Sequence, residues 1–243
     1  MRHVCSFMAR PSIRRLMLFT ITAVWLAGVG FGMRQLLEYS YTPGIQLQSG
    51  RTWPTTTALS RSRGKATLVL AVHPHCPCTR ATLNELAVIV ARCSGKIRAE
   101  VLLYRPSGFN PGWSDTDLRQ TAMQIPGVIV MDDPDGVEAQ RFGAATSGET
   151  LLYDQTGRLL FKGGITASRG HSGDNLGRDT VIDVVTSGVA GFSSTPVFGC
   201  SLRSTAAARA ERNGQVVPPD GTKTRTMGQP QPARLTRVPE GEL

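Results

Sequence analysis

The sequence predicts an α/β domain with a mixed central sheet and helices on both faces, preceded by one N-terminal transmembrane helix. Three observations carry this reading. Residues 16–33, LMLFTITAVWLAGVGFGM, form a run of eighteen residues without a charge. Between about residues 61 and 200, apolar runs of strand length alternate with stretches of helical periodicity, the order expected of a layered α/β domain. The formal net charge of +9 sits at the ends: residues 1–34 carry +5, residues 201–243 carry +3, and the 166 residues between them only +1. A near-neutral body gives no sign of the basic face that nucleic-acid binding requires. With 40% hydrophobic residues, the chain is too apolar to be disordered throughout.

At about 1.5 Å per residue the apolar run spans roughly 27 Å, close to the ~30 Å hydrocarbon core of a bilayer. Leu36 and Leu37 extend it, so the anchor is expected over 16–37, with 1–15 as a basic cytoplasmic end. Arg10, Arg14 and Arg15 precede the run, and this excess should keep the N-terminus inside and send the body across the membrane. A cleaved signal peptide is the alternative, although no clean A-x-A site stands out. Either way the body is expected in the periplasm or an equivalent extracytoplasmic space, where disulfides persist. The full-length chain is expected as a single-pass protein of the inner (plasma) membrane.

Residues 38–60 are polar and rich in Pro, Gly, Ser and Thr and read as a linker. The domain is expected over 61–200. Residues 201–243 contain five prolines and no apolar periodicity, as a disordered tail would. Within the domain, Ala66–Val72 (ATLVLAV) reads as a buried central strand. Leu83, Leu86, Ala87 and Val90 mark a helix face over 79–92. Strands follow at Ile97–Tyr104 and Gly127–Met131, with a short helix at Asp115–Gln124 between them. One or two helical turns are expected at 136–142. Thr150–Tyr153 and Arg158–Phe161 flank Asp154-Gln155-Thr156-Gly157 as a hairpin. Residues 175–187 form a last amphipathic helix, with Asn175 placed to cap it.

The chemistry is concentrated in Ala71–Leu86, AVHPHCPCTRATLNEL, where Cys76 and Cys78 fall between the central strand and the first helix. Cys76 is expected as the helix N-cap and Pro77 at the first helical position. A helix N-terminus favours a thiolate, the nucleophilic form of cysteine. His75 is adjacent and can add positive charge or shuttle a proton. His73, His75, Cys76 and Cys78 also form an H-x-H-C-x-C cluster, a donor set suited to Cu(I) or Zn²⁺. In the polar loop Ser168–Asn175, His171 or Arg169 is a candidate contributor to the site. Cys200 is a candidate resolving thiol, whereas Cys93, at the end of the first helix, reads as a packing residue. The sequence shows no hydrolase nucleophile elbow, phosphate-binding glycine loop or paired-carboxylate constellation.

On these residues the chain resembles the thioredoxin superfamily, and in particular its membrane-tethered, TlpA-like extracytoplasmic branch. The resemblance covers about 61–190: a strand, then Cys76-Pro77-Cys78-Thr79, a helix with Asn84-Glu85-Leu86, and the later hairpin Leu151–Arg158. The HPHCPC segment and Gly163–Asn175 are similar to RedB-like thioredoxin proteins. The resemblance implies a thioredoxin-like fold and thiol–disulfide oxidoreductase activity on disulfide-containing or thiol protein substrates. Cys76 falls on the attacking position and Thr79 on the resolving one, so the motif is C-x-C where the family has C-x-x-C. Cys78 or Cys200 is left to resolve, and no cofactor is required. The chain also lacks the proline expected before strand Thr150–Tyr153; Gly148 stands near that position. Copper chaperones of the Sco family pair two cysteines with a distal histidine on a similar fold. In that alternative His73, His75, Cys76, Cys78 and His171 would be the ligands of Cu(I) or Zn²⁺.

Overall fold

The computed structural model describes residues 13–189 and 191–203. Cys5 and the tail from residue 204 lie outside the described residues. The first element, α1 (Ile13–Tyr41), contains the expected anchor and is the one described helix long and apolar enough to cross a membrane. It extends four residues beyond the expected span, ending at Tyr41.

Five strands build the sheet: β1 (Ala66–Val72), β2 (Ile97–Arg105), β3 (Val128–Pro134), β4 (Glu149–Tyr153) and β5 (Leu159–Gly164). They lie in the order β3-β2-β1-β4-β5. β1, β2 and β3 are parallel, and β4 and β5 are antiparallel additions. The helices are α2 (Thr79–Arg92), α3 (Asp117–Gln124), α4 (Val137–Arg141) and α5 (Leu176–Ser187), with a 3-10 turn at Pro111–Ser114. Asn175 caps α5 as expected, its Oδ1 accepting from Arg178 N at 2.8 Å. β1 is central, and its alternating side chains feed two cores. Leu68, Leu70 and Val72 pack with Leu83, Leu86 and Ile89 of α2, Leu118 and Ala122 of α3, and Val181 of α5. Val69 and Ala71 face Leu151, Tyr153, Phe142 and Ala139 on the α4 side.

The segment expected as a linker lies against the domain. Trp53 packs edge-on against Phe142 and Tyr153, with ring centroids 5.0 and 5.1 Å away, and Leu59 is buried in the second core. Its backbone bonds include Trp53 N to Gly157 O at 2.7 Å and Leu159 N to Arg51 O at 2.8 Å. Extended chain held by such scattered bonds has no periodicity to betray it. Likewise the expected tail boundary at 201 falls inside an ordered strip, since Leu202 is buried.

Lys162 of β5 ties this segment down. Its Nζ donates to Leu47 O, to Ser49 Oγ at 2.6 Å and to Gly143 O at 2.9 Å, and pairs with the fully buried Glu149 at 3.2 Å. Removing the cation leaves a buried carboxylate without its counter-charge, so Lys162→Met should cost about 3–5 kcal/mol. Urea unfolding checks this, and a midpoint unchanged from the parent would contradict it.

Candidate active site

The Ala71–Leu86 segment leaves the sheet through two consecutive turns. Cys76 N donates to His73 O at 3.1 Å, and Thr79 N donates to Cys76 O at 3.0 Å. The cap of α2 therefore falls two residues later than the expected Cys76, and Pro77 lies outside the helix. Cys78 (φ −68°, ψ −23°) is its cap residue, and Pro77 occupies the second position of the Cys76–Thr79 turn. The physical reason is that proline's fixed φ suits a tight turn as well as a first helical turn. Ser147, just before β4, braces the turns: its Oγ accepts from His73 N at 2.9 Å and bonds Thr79 Oγ1 at 2.9 Å.

Three thiols meet here. Cys76 is 1% exposed, and its Sγ lies 2.9 Å from Cys200 Sγ. Cys200 N also donates to Cys76 Sγ, at 3.4 Å. Cys78 is buried beside them. Cys200 arrives on a short antiparallel strip paired with residues 145–147. Ser147 N donates to Cys200 O at 2.8 Å, Leu202 N donates to Ala145 O at 2.9 Å, and Thr146 and Ser201 form a bridge. Gly148 follows in a left-handed conformation (φ +93°), with its N–H bonded to Ala71 O at 2.8 Å. This turn needs glycine on two counts, because a Cβ there would also press on Thr82 Oγ1 at 3.1 Å.

The three thiols are electrostatically unequal. Burial opposes ionisation of Cys76, but hydrogen bonds from the Cys200 thiol and N–H, the Cys78 N–H and the Thr79 hydroxyl outweigh it and hold Cys76 below the ordinary thiol value. Burial, then the hydrogen bond to Cys76 and the charges of Cys76 and Cys78, push Cys200 up to about 12. Cys78 is raised by burial and by Cys76, against the pull of Arg169.

Of the other sequence candidates, Arg169 reaches the thiols, whereas His171 is exposed and its described bond is from its backbone N–H to Ser168 O. His75 turns to Trp113, its Nε2 lying 2.9 Å from Trp113 O and its ring centroid 4.5 Å from the indole. His73 stacks on Tyr104 at 5.4 Å, and its Nδ1 accepts from His75 N at 3.2 Å. Among the described residues, no group of three or more His, Cys, Asp or Glu side chains is placed to hold a metal ion. Cys93 is fully buried in the first core, as expected. Ser147 was not among the candidates; its signal was its place beside Gly148, where the usual proline is missing. A groove of about 270 Å³ opens beside Cys76, lined by Pro74, His75, Pro77, Arg80 and Leu118 among others.

No protein-family model and no curated protein matches the chain. Among solved structures, it is similar to a hypothetical protein from Sinorhizobium meliloti, with 22% identity and a TM-score of 0.51 over 69% of this chain and 97% of the other. An uncharacterized conserved protein from Geobacillus kaustophilus matches with 15% identity and a TM-score of 0.49 over 68% and 93% of the two chains. A secreted disulfide oxidoreductase of Mycobacterium tuberculosis matches with 15% identity and a TM-score of 0.34 over 50% and 81%. The fold is thioredoxin-like. At these identities the likeness concerns the fold alone. In this thioredoxin-like frame, Cys76 and Cys78 stand between the end of β1 and the start of α2, and Cys200 is added from a strip beyond α5.

That strip depends on Gly199, where a Cβ would lie 1.9 Å from Ser147 O. Gly199→Ala should push Cys200 off the 145–147 edge and lose one or two backbone bonds, each worth about 1 kcal/mol. The rate of Cys76–Cys200 disulfide formation under mild oxidation should fall at least about tenfold. Thiol-trapping time courses check this, and an unchanged rate would contradict it.

Proposed function

We propose that this chain is a membrane-anchored, extracytoplasmic thiol–disulfide oxidoreductase in which Cys76 attacks and Cys200 resolves. The observation that carries this reading is the 2.9 Å approach of the two thiols, with Cys76 the more acidic. The Cys76 thiolate attacks one sulfur of a substrate disulfide, forms a mixed disulfide and expels the other sulfur as a thiolate, which takes up a proton. Once Cys76 is bonded to substrate its charge is gone, and with it part of what suppressed ionisation of Cys200. The Cys200 thiolate then attacks Cys76 Sγ, forms Cys76–Cys200 and expels the substrate's second thiolate. The substrate gains two electrons and the enzyme pair loses them. Cys78, the cap residue of α2 two positions after Cys76, acts on the pair electrostatically. The substrates are disulfide-containing or thiol proteins, reached from the inner membrane through α1. The arginines before the apolar run support a cytoplasmic N-terminus.

The test is a variant series assayed on a model disulfide. Cys76→Ser should abolish exchange. Cys200→Ser should accumulate a mixed disulfide at Cys76, and Cys93→Ser should retain nearly full activity. Full turnover by Cys200→Ser, with Cys78→Ser accumulating the mixed disulfide instead, would overturn the assignment of the resolving thiol.

The pH dependence follows from the directions of the shifts. A lowered Cys76 value means that its thiolate persists to lower pH, so its alkylation should reach half-maximal rate at a lower pH than that of an unperturbed thiol. Cys93, raised by burial, should titrate above an unperturbed thiol. Residue-resolved alkylation followed by mass spectrometry reads both, and coincident profiles would contradict the assignment.

A further inference from the structure

Arg169 joins three parts of the molecule that are remote in sequence. Its guanidinium uses all three nitrogens: Nη1 donates to Gly199 O at 2.5 Å, Nε to Tyr39 O at 3.1 Å and Nη2 to Thr42 O at 3.2 Å. Its backbone N–H donates to Ser40 O at 3.0 Å, and the guanidinium carbon lies 5.0 Å from the centre of the Tyr39 ring. One side chain therefore clamps the residue before Cys200 to the end of α1 and the residue that follows it. The loop carrying Arg169 is itself held to α2. Glu85 Oε1 accepts from Gly173 N at 2.7 Å, and Glu85 Oε2 accepts from Arg178 Nη1 at 3.0 Å, the second inside the buried body. Cys78 caps α2, so the clamp, the Cys200 strip and the thiol turn share one support.

We propose that Arg169 is a positioning residue for thiol–disulfide exchange: it holds Cys200 against Cys76 by bracing Gly199 on the end of α1, so that the thiol pair depends on the membrane helix junction. This rests on the reading of Cys76 and Cys200 as the exchanging pair. A planar guanidinium with donors fixed in a fork can bond three carbonyls at once, and the point-like ammonium of lysine cannot reproduce that geometry. Because the bond to Gly199 is made through the backbone, losing it frees the strip to swing Cys200 away; the positive charge that also eases ionisation of Cys200 is kept by lysine, so the lysine variant separates the two effects. Its loss lowers the effective concentration of one thiol at the other, and the Cys76–Cys200 disulfide becomes easier to reduce.

The experiment equilibrates full-length, detergent-solubilised Cys93→Ser protein with graded glutathione buffers and quantifies the Cys76–Cys200 disulfide by mass spectrometry. Arg169→Ala should lower the equilibrium constant for the disulfide at least tenfold. Arg169→Lys should recover less than half of that loss on a logarithmic scale. Tyr39→Ala, which removes the ring under the guanidinium, should lower the constant about threefold. In the reduced protein, Arg169→Ala should also speed alkylation of Cys200. Near-ultraviolet circular dichroism establishes that each variant is folded, and should Arg169→Ala fail to fold, the lysine and Tyr39 variants decide the matter. Constants for Arg169→Ala within twofold of the parent would overturn the clamp. Full rescue by lysine would reduce Arg169 to a charge and overturn its positioning role. An unchanged constant for Tyr39→Ala would overturn the link to α1. If the parent protein forms no Cys76–Cys200 disulfide in any buffer, the exchange reading itself fails.

Discussion

The approach of Cys200 to Cys76 depends on a strip of backbone that the sheet accepts only because side chains are missing where it passes. The strip crosses β5 first. Lys162 N donates to Ser193 O at 3.0 Å, Lys162 and Ser194 form a bridge, and Thr195 Oγ1 donates to Gly164 O at 2.7 Å. A Cβ on Gly163 would lie 2.3 Å from Thr195 Oγ1, and one on Gly164 would lie 2.5 Å from Pro196 O. Farther along, Gly44 N donates to Val197 O at 2.8 Å, and Gly199 passes under Ser147. Gly163, Gly164 and Gly199 thus set the path that ends at Cys200, and each forbids a side chain through direct contact with main-chain or side-chain atoms.

This path changes what the thiol motif means chemically. Cys76 and Cys78 stand two residues apart in the tight turn that leads into α2, and a disulfide between them would have to distort that turn. A thiol delivered from beyond α5 has no such restriction. Burial raises the energy of every thiolate in the cluster, and the hydrogen-bond donors are aimed mainly at Cys76. The outcome is one acidic thiol and two suppressed ones, an asymmetry that keeps attack and resolution on separate residues.

The sheet was largely legible because its buried strands and amphipathic helices impose period. β1 and α2 fall at Ala66–Val72 and Thr79–Arg92, as the apolar runs predict, and α5 and its Asn175 cap fall within a residue of expectation. β3 runs on to Pro134, beyond the expected end at Met131, because the parallel ladder with β2 continues through polar residues as far as Arg105. The segments on either side of the domain were not legible as parts of it. Residues 42–59 and 193–202 form no regular helix or strand and bond largely through carbonyls and amides that every residue type carries. The site was legible to the same degree. Cys76, Cys78 and Cys200 announce themselves by residue type, but Ser147 and the clamp by Arg169 act on backbone atoms. The sequence could not separate Arg169 from His171, since both are polar residues of one glycine-rich loop, and only the path of residues 39–42 beside that loop distinguishes them.

The central claim concerns which two sulfurs form the enzyme's own disulfide. Mild oxidation of the full-length protein, followed by alkylation, proteolysis without reduction and mass spectrometry of the linked peptides, measures it directly. The account predicts one dominant crosslink, Cys76 to Cys200, with Cys78 recovered as an alkylated thiol. A dominant crosslink between Cys76 and Cys78, with Cys200 alkylated, would contradict it.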